Sequence, residues 1–193
     1  MLDSLQQIDQ SIFLILNGWH SQFFDQVFWY ATMPLIWIPL FLLIFVLLIR
    51  QFKWKIITII IAVALMVTAS DQMANLAKYG TRRLRPSHDP QIEQLVHSVN
   101  EYKGGQYGFF SAHASTTFAI AILLSFLFRR KYRWMIPILL IWAGIMAYSR
   151  IYLGVHYPGD ILAGILVGVI LGSLFALLTG YTIRAQSKCG QTC

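Results

Sequence analysis

Charge is scarce in this chain of 193 residues: only 12% are Asp, Glu, Lys or Arg, and acids are the rarer kind, 8 against 15 bases. A soluble domain needs more charge than this to cover its surface. With 57% hydrophobic residues and a mean hydropathy of +0.60, the composition instead points to a polytopic membrane protein. Cysteine is nearly absent. The two present, Cys189 and Cys193, lie at the extreme C-terminal end, which excludes a disulfide framework and a cysteine metal site. The first ten residues hold Asp3 and Asp9 but no Lys or Arg, the reverse of a basic signal-peptide start, so no cleavable leader is expected. Internal repeats and low-complexity tracts are also missing. The net charge of +7 is read as loop charge that sets membrane topology rather than as a nucleic-acid surface, and no nucleic-acid partner is expected.

What is abundant is apolar sequence in blocks. Residues 1–26 carry Leu5, Ile8, Ile12, Leu16 and Trp19 at helical spacing with polar residues between, the pattern of an amphipathic segment lying at a membrane interface. Spans are predicted over 27–49, 54–77, 111–128, 134–153 and 158–183. Glycines at 164, 168 and 172 suit the last one to close helix contact. The predicted fold is therefore all-α, a single membrane domain of five transmembrane spans plus the interfacial segment. Arg50, Lys53, Lys55, Arg129, Arg130, Lys131, Arg133, Arg184 and Lys188 all fall on one side with no acid among them. That side, with the 184–193 tail, is read as cytoplasmic. The long polar loop 79–110 and the turn after residue 153 then share the outer face. Asp71, Asn75 and Lys78, spaced four and three apart, share one face of the second span. Polar groups in lipid are expected to point into the bundle.

At that outer face three short stretches meet. Ser149-Arg150, His156 and Asp160 lie between two apolar blocks, where ionisable groups mark function. Asp160 follows His156 by four residues, a spacing that lets a carboxylate fix one imidazole nitrogen and leave the other free as nucleophile or base. Arg150 presents a permanent fork for phosphate oxygens. Lys78 precedes Arg85-Pro86, and Ser111-Ala112-His113 opens the third span, where helix amides suit an anion.

Taken together these stretches resemble the three signature motifs of the phosphatidic acid phosphatase type 2 superfamily, which also includes vanadium-dependent haloperoxidases. The run Ser70-Asp71-Gln72 to Arg85-Pro86-Ser87-His88-Asp89-Pro90 looks most like its small bacterial membrane members, and the resemblance covers roughly residues 60–175. The second motif departs from the usual Pro-Ser-Gly-His, reading Phe110-Ser111-Ala112-His113, which adds a methyl group where backbone nears phosphate. The resemblance implies that His156 attacks phosphorus and that Asp160 orients it. It implies that His113 protonates the leaving oxygen and then activates water. Lys78, Arg85, Ser111, Ala112 and Arg150 would hold the phosphate. No metal or cofactor is implied, because fixed cations serve instead. The implied activity is phosphate removal from a lipid in the bacterial cytoplasmic (inner) membrane, with the site facing the periplasm. The partners are the lipid phosphate and the bilayer; oligomeric state has no sequence signal.

Among lipids, undecaprenyl diphosphate ranks first at this stage, because Arg82, Arg83 and Lys103 add cations for a second phosphate. Lipid A, phosphatidylglycerol phosphate and phosphatidic acid follow. A lipid-to-lipid phosphotransferase would use the same residues, and a non-enzymatic binder of anionic headgroups would need the cations but not an oriented histidine. A haloperoxidase has no need of five spans. Singly, Arg82, Arg83 and Lys103 read as headgroup or solvated loop charges. His88 and His97 read as ordinary loop histidines, His20 as interfacial, and Asp71 as a structural partner of Lys78 or the bundle.

Overall fold

The computed structural model describes residues 2–189. Helix α1 spans Leu2–Gly18 and α2 spans Gln22–Ala31, with Ser21 as its N-cap, accepting from the Phe24 amide at 3.4 Å. The run expected as one span over 27–49 is broken here. Pro34 has no N–H and holds Met33 extended (φ −80°, ψ 126°), so a helix cannot pass through. A 3-10 turn, Pro34–Trp37, leads instead into α3, Ile38–Phe52, and the Trp37 indole donates to the Ala31 carbonyl left open by α2, at 2.7 Å.

The chain reverses at Lys53 (φ 52°) and α4 runs over Ile56–Thr81, four residues beyond the expected end. Arg82 then takes a left-handed conformation (φ 50°), and its amide closes on the Lys78 carbonyl at 2.9 Å, a helix C-cap. After a loop with short 3-10 turns come α5 (Ala112–Phe128), α6 (Met135–Tyr152) and α7 (Pro158–Cys189). Among the described residues, three stretches are long and apolar enough to cross a membrane: Pro34–Thr81, mean hydropathy 2.4, which contains both α3 and α4; Met135–Tyr152; and Pro158–Ser187. The chain is a polytopic helical membrane protein.

Helix α5 is the axis of the bundle. Ala114, Ala119, Ala121 and Leu123 are fully buried along it, and α4, α6 and α7 surround it. The close approach of α7 depends on its glycines: a Cβ at Gly164 would stand 2.6 Å from the Ser111 carbonyl oxygen, and one at Gly172 2.7 Å from that of Ala119.

Apolar packing divides into two main clusters. One, at the basic end, joins α3, α4, α5 and α6 through residues such as Leu47, Ile59, Leu127 and Leu139. The other, at the opposite end, joins α1 to α6 and α7 through Phe13, Ile151 and Tyr157. Helix α1 docks by Phe13 and by polar residues: the Asn17 amide donates to the Ile151 and Tyr152 carbonyls at 3.1 and 2.9 Å, capping α6 from outside, and its oxygen accepts from the His97 amide at 2.8 Å. Its apolar stripe of Leu5, Ile8 and Ile12 remains exposed.

Candidate active site

The site is assembled where four chain segments end. The first is the turn from α6 to α7. Gly154 sits at φ 74°, the reversal that lets the Val155 and His156 amides fold back onto the Arg150 carbonyl at 3.1 and 3.3 Å. A side chain at Gly154 would also strike Val96 and the His97 carbonyl. The result is a tight, buried hook in which Arg150 is 3% and His156 2% exposed.

Arg150 is held by Ser149, whose Oγ accepts from its Nε at 3.3 Å, while its buried Nη2 has no partner. A buried guanidinium nitrogen without an acceptor is costly; an oxyanion beside it would remove that cost. Burial pushes the His156 imidazole down to about 4, with Arg85 and Lys78 adding to the effect and Asp160 opposing it. The ring is therefore neutral near pH 7, the state a nucleophile or base requires.

The second segment is the end of α4 and the loop behind it. Leu84 pairs with Tyr107 in an isolated antiparallel bridge, and the Arg85 amide donates to the Gln106 carbonyl at 3.0 Å. Arg85 Nε donates to the Tyr107 carbonyl at 3.1 Å. The glycines of the 104–108 stretch make room for this side chain: a Cβ at Gly104 would lie 2.5 Å from Arg85 Nη1, and one at Gly108 3.1 Å from Arg85 Cγ. Lys78 and Arg85 line a cavity of about 280 Å³ with Asn75, Tyr79, Gly105, Gln106 and Tyr107. Tyr79 in this lining is 71% exposed.

The third segment is the start of α5. Ser111 is fully buried and caps the helix, its Oγ accepting from the Ala114 amide at 3.4 Å. The Ser111 amide donates to the Asp160 carbonyl at 3.1 Å, which ties the start of α5 to the start of α7. Ala112 and His113 follow in the first turn, whose amides have no partner within the helix. The charges of Arg150, Arg85 and Lys78 all act on His113, as does His156. The residues singled out in the sequence, Lys78, Arg85, Ser111, Ala112, His113, Arg150, His156 and Asp160, thus converge on one end of the bundle.

The fourth segment is α1, which reaches the site through Asp9, a link the sequence reading missed. Arg83, read there as a headgroup or solvated cation, is instead bonded through Nη1 to Asp160 Oδ1 at 2.7 Å and through Nη2 to Asp9 Oδ2 on α1 at 2.6 Å. Leu84 lies in the extended bridge, so Arg83 and Arg85 share a face. Asp160 itself is fully buried, and its Oδ2 accepts from the Tyr157 amide at 3.1 Å. Its distance to His156 Nδ1 is 3.6 Å, longer than the hydrogen bond the spacing led us to expect.

Two other readings change. Asp71 does not point into the bundle: it is exposed, accepting from Asn75 Nδ2 at 3.2 Å. The small residues Ser70 and Ala74 face inward in its place, because α4 must approach α5 closely there; Ser70 bonds Ser115 across that contact at 2.8 Å. His97 is no free loop histidine, since it stacks on His20 with ring centroids 3.7 Å apart and bonds Asp25 at 2.8 Å. His88 contacts Ser87 Oγ through Nδ1 at 3.2 Å.

Comparison with known proteins adds to this geometry. A family model described as the PAP2 superfamily matches residues 52–184. A lipid A 4'-phosphatase of Bacteroides thetaiotaomicron is 40% identical over 191 residues, covering 97% of this chain and 84% of that protein. A lipid A 4'-phosphatase of Porphyromonas gingivalis is 34% identical over 176 residues, covering 89% and 72%. In fold, the chain is similar to the crystal structure of a transmembrane PAP2-type phosphatidylglycerolphosphate phosphatase from Bacillus subtilis, with a TM-score of 0.69 at 20% identity over 92% of this chain and 87% of that one.

Proposed function

Because the chain belongs to the PAP2 superfamily and is a membrane lipid phosphatase, we propose that it removes a phosphate monoester from a phosphorylated glycolipid of the lipid A type. The observation that carries the reading is the unpartnered Arg150 Nη2 beside a buried, neutral His156. The choice of lipid is supported by the two lipid A 4'-phosphatases to which the chain is similar over most of its length. It takes the place of undecaprenyl diphosphate, which the sequence ranks first on Arg82, Arg83 and Lys103 as cations for a second phosphate; of these three, Arg83 is bonded to two carboxylates.

In the proposed mechanism Lys78, Arg85 and Arg150 hold the non-bridging oxygens, with the Ser111 hydroxyl and the first amides of α5. His156 Nε2 attacks phosphorus as the bond to the lipid oxygen breaks. His113, protonated once the phosphate dianion is bound among these cations, gives its proton to that oxygen. His113, now neutral, takes a proton from water; the resulting hydroxide attacks the phosphohistidine, the P–N bond breaks, and inorganic phosphate leaves. Asp160 stabilises the positive charge that develops on the His156 ring. The fixed cations supply the charge stabilisation that phosphoryl transfer requires.

We further read α3 to α7 as five membrane crossings with the site on the periplasmic side. Gln51 Nε2 donates to the Leu127 carbonyl at 2.8 Å, and Gln186 Nε2 donates to Thr58 Oγ1 at 2.9 Å. These contacts support grouping the basic turns at the end opposite the site, the pattern of a cytoplasmic face.

The test is phosphate release from lipid A, undecaprenyl diphosphate, phosphatidylglycerol phosphate and phosphatidic acid by the purified protein, with EDTA present, beside His156→Ala. Lipid A should lose one phosphate, seen by mass spectrometry, and EDTA should leave the rate unchanged. The variant should release none. Preference for undecaprenyl diphosphate over lipid A would overturn the substrate assignment.

A further inference from the structure

The motif residues do not explain what holds Asp160. It is fully buried, His156 Nδ1 stands 3.6 Å away, and the cation that touches it is Arg83 at 2.7 Å. A buried carboxylate stays ionised only with a bonded partner, so Arg83 sustains the charge on which the role of Asp160 depends. The guanidinium is fixed from two further sides. Its plane lies 4.4 Å from the Tyr157 ring centroid, and Asp9 grips its second nitrogen at 2.6 Å.

Asp9 also accepts from the Gly159 amide at 2.8 Å, capping α7 one residue before Asp160. Gly159 permits this approach, since a Cβ there would lie 2.7 Å from Asp9 Oδ2. A parallel strut lies next to it: the Tyr157 hydroxyl donates to Asp89 Oδ2 at 2.7 Å, and Gln10 Nε2 donates to the same oxygen at 3.0 Å.

We propose that Arg83 and Asp9 are positioning residues for the reaction, forming a charge chain Asp9–Arg83–Asp160 that aims Asp160 Oδ2 at His156. Asp9 lies outside the 52–184 stretch that the family model matches. Helix α1 is thereby part of the active-site support. An arginine suits the central place because its fork reaches two carboxylates at once, which a lysine ammonium on a flexible stem does less well. The proposal rests on the roles given to His156 and Asp160 above.

The test uses whichever lipid phosphate the full-length wild type hydrolyses fastest, so the choice of lipid A can fail without touching it. Arg83→Gln should lower kcat by about 10- to 100-fold, as loss of an outer orienting partner does. Its KM and its inhibition by inorganic phosphate should stay within about twofold of wild type. Arg83→Lys should recover part of kcat. Asp9→Asn, which leaves the Arg83–Asp160 bond in place, should show a smaller loss of kcat at unchanged KM, and it decides the matter if Arg83→Gln does not elute as a folded species in detergent. A KM and phosphate inhibition constant raised about tenfold with kcat retained would make Arg83 a substrate ligand. Unchanged kcat in a folded Arg83→Gln would remove it from the reaction altogether. Either result overturns the proposal.

Discussion

Arg150 and His156 are both incomplete: one is a buried cation with a nitrogen lacking an acceptor, the other a buried ring kept neutral. Arg150→Ala should lower kcat/KM by about 10²- to 10³-fold, the loss expected when one fixed donor to a developing oxyanion goes, while Arg150→Lys should recover only part of it. The pH dependence has a definite sign. The folded value for His156 of about 4 lies below its ordinary 6.5, so between those two pH values the unfolded chain binds more protons than the folded one. Stability therefore rises with pH across that window and is lost as pH falls from about 6.5 towards 4. His156→Gln should flatten the part of the curve in that window, seen as the thermal midpoint in detergent against pH. The sequence made these residues legible by type and spacing. It could not reveal that Arg83 is engaged, since its partners Asp9 and Asp160 lie 74 and 77 positions away and only the fold brings the three together.

At the scale of elements, α5 and α7 act as one unit because glycine lets them touch. Gly168→Leu should drive the α7 backbone off Ser115, separate His113 from His156, and reduce both activity and thermal midpoint. Gly144→Ala on α6, with open space around the added methyl, should leave activity intact and stabilise by up to about 1 kcal/mol through helix propensity. Hydropathy located α5 and α6 to within a residue at each end, because a long apolar block between basic or glycine-rich turns leaves little choice. It failed at 27–49, where the averaged apolar signal passes straight over Met33-Pro34 and the break is a matter of backbone sterics. It also could not show that α1 docks through Gln10, Phe13 and Asn17, since most of the apolar stripe that periodicity picks out, Leu5, Ile8 and Ile12, is left uncovered.

For the whole molecule, the site and the larger group of basic residues, nine of the fifteen, lie at opposite ends. A cysteine placed at Lys103, exposed in the 79–110 loop, should be labelled in intact cells by a membrane-impermeant maleimide. Cys189 and Cys193, expected in the cytoplasmic tail, should react only after permeabilisation. The reverse labelling would invert the topology. The overall class was readable from composition because lipid as a solvent permits so few architectures. Which lipid is acted on was not, since that depends on which cations the fold leaves unpaired.

The cavity beside Lys78 and Arg85 has the exposed Tyr79 of α4 in its lining. A substrate entering there need not leave the plane of its leaflet, so encounter is a two-dimensional search. The quantity that sets the rate is then the mole fraction of substrate among the surrounding amphiphiles rather than its amount per volume of buffer. At fixed bulk substrate, added neutral lipid or detergent should slow turnover as an inert diluent of the surface.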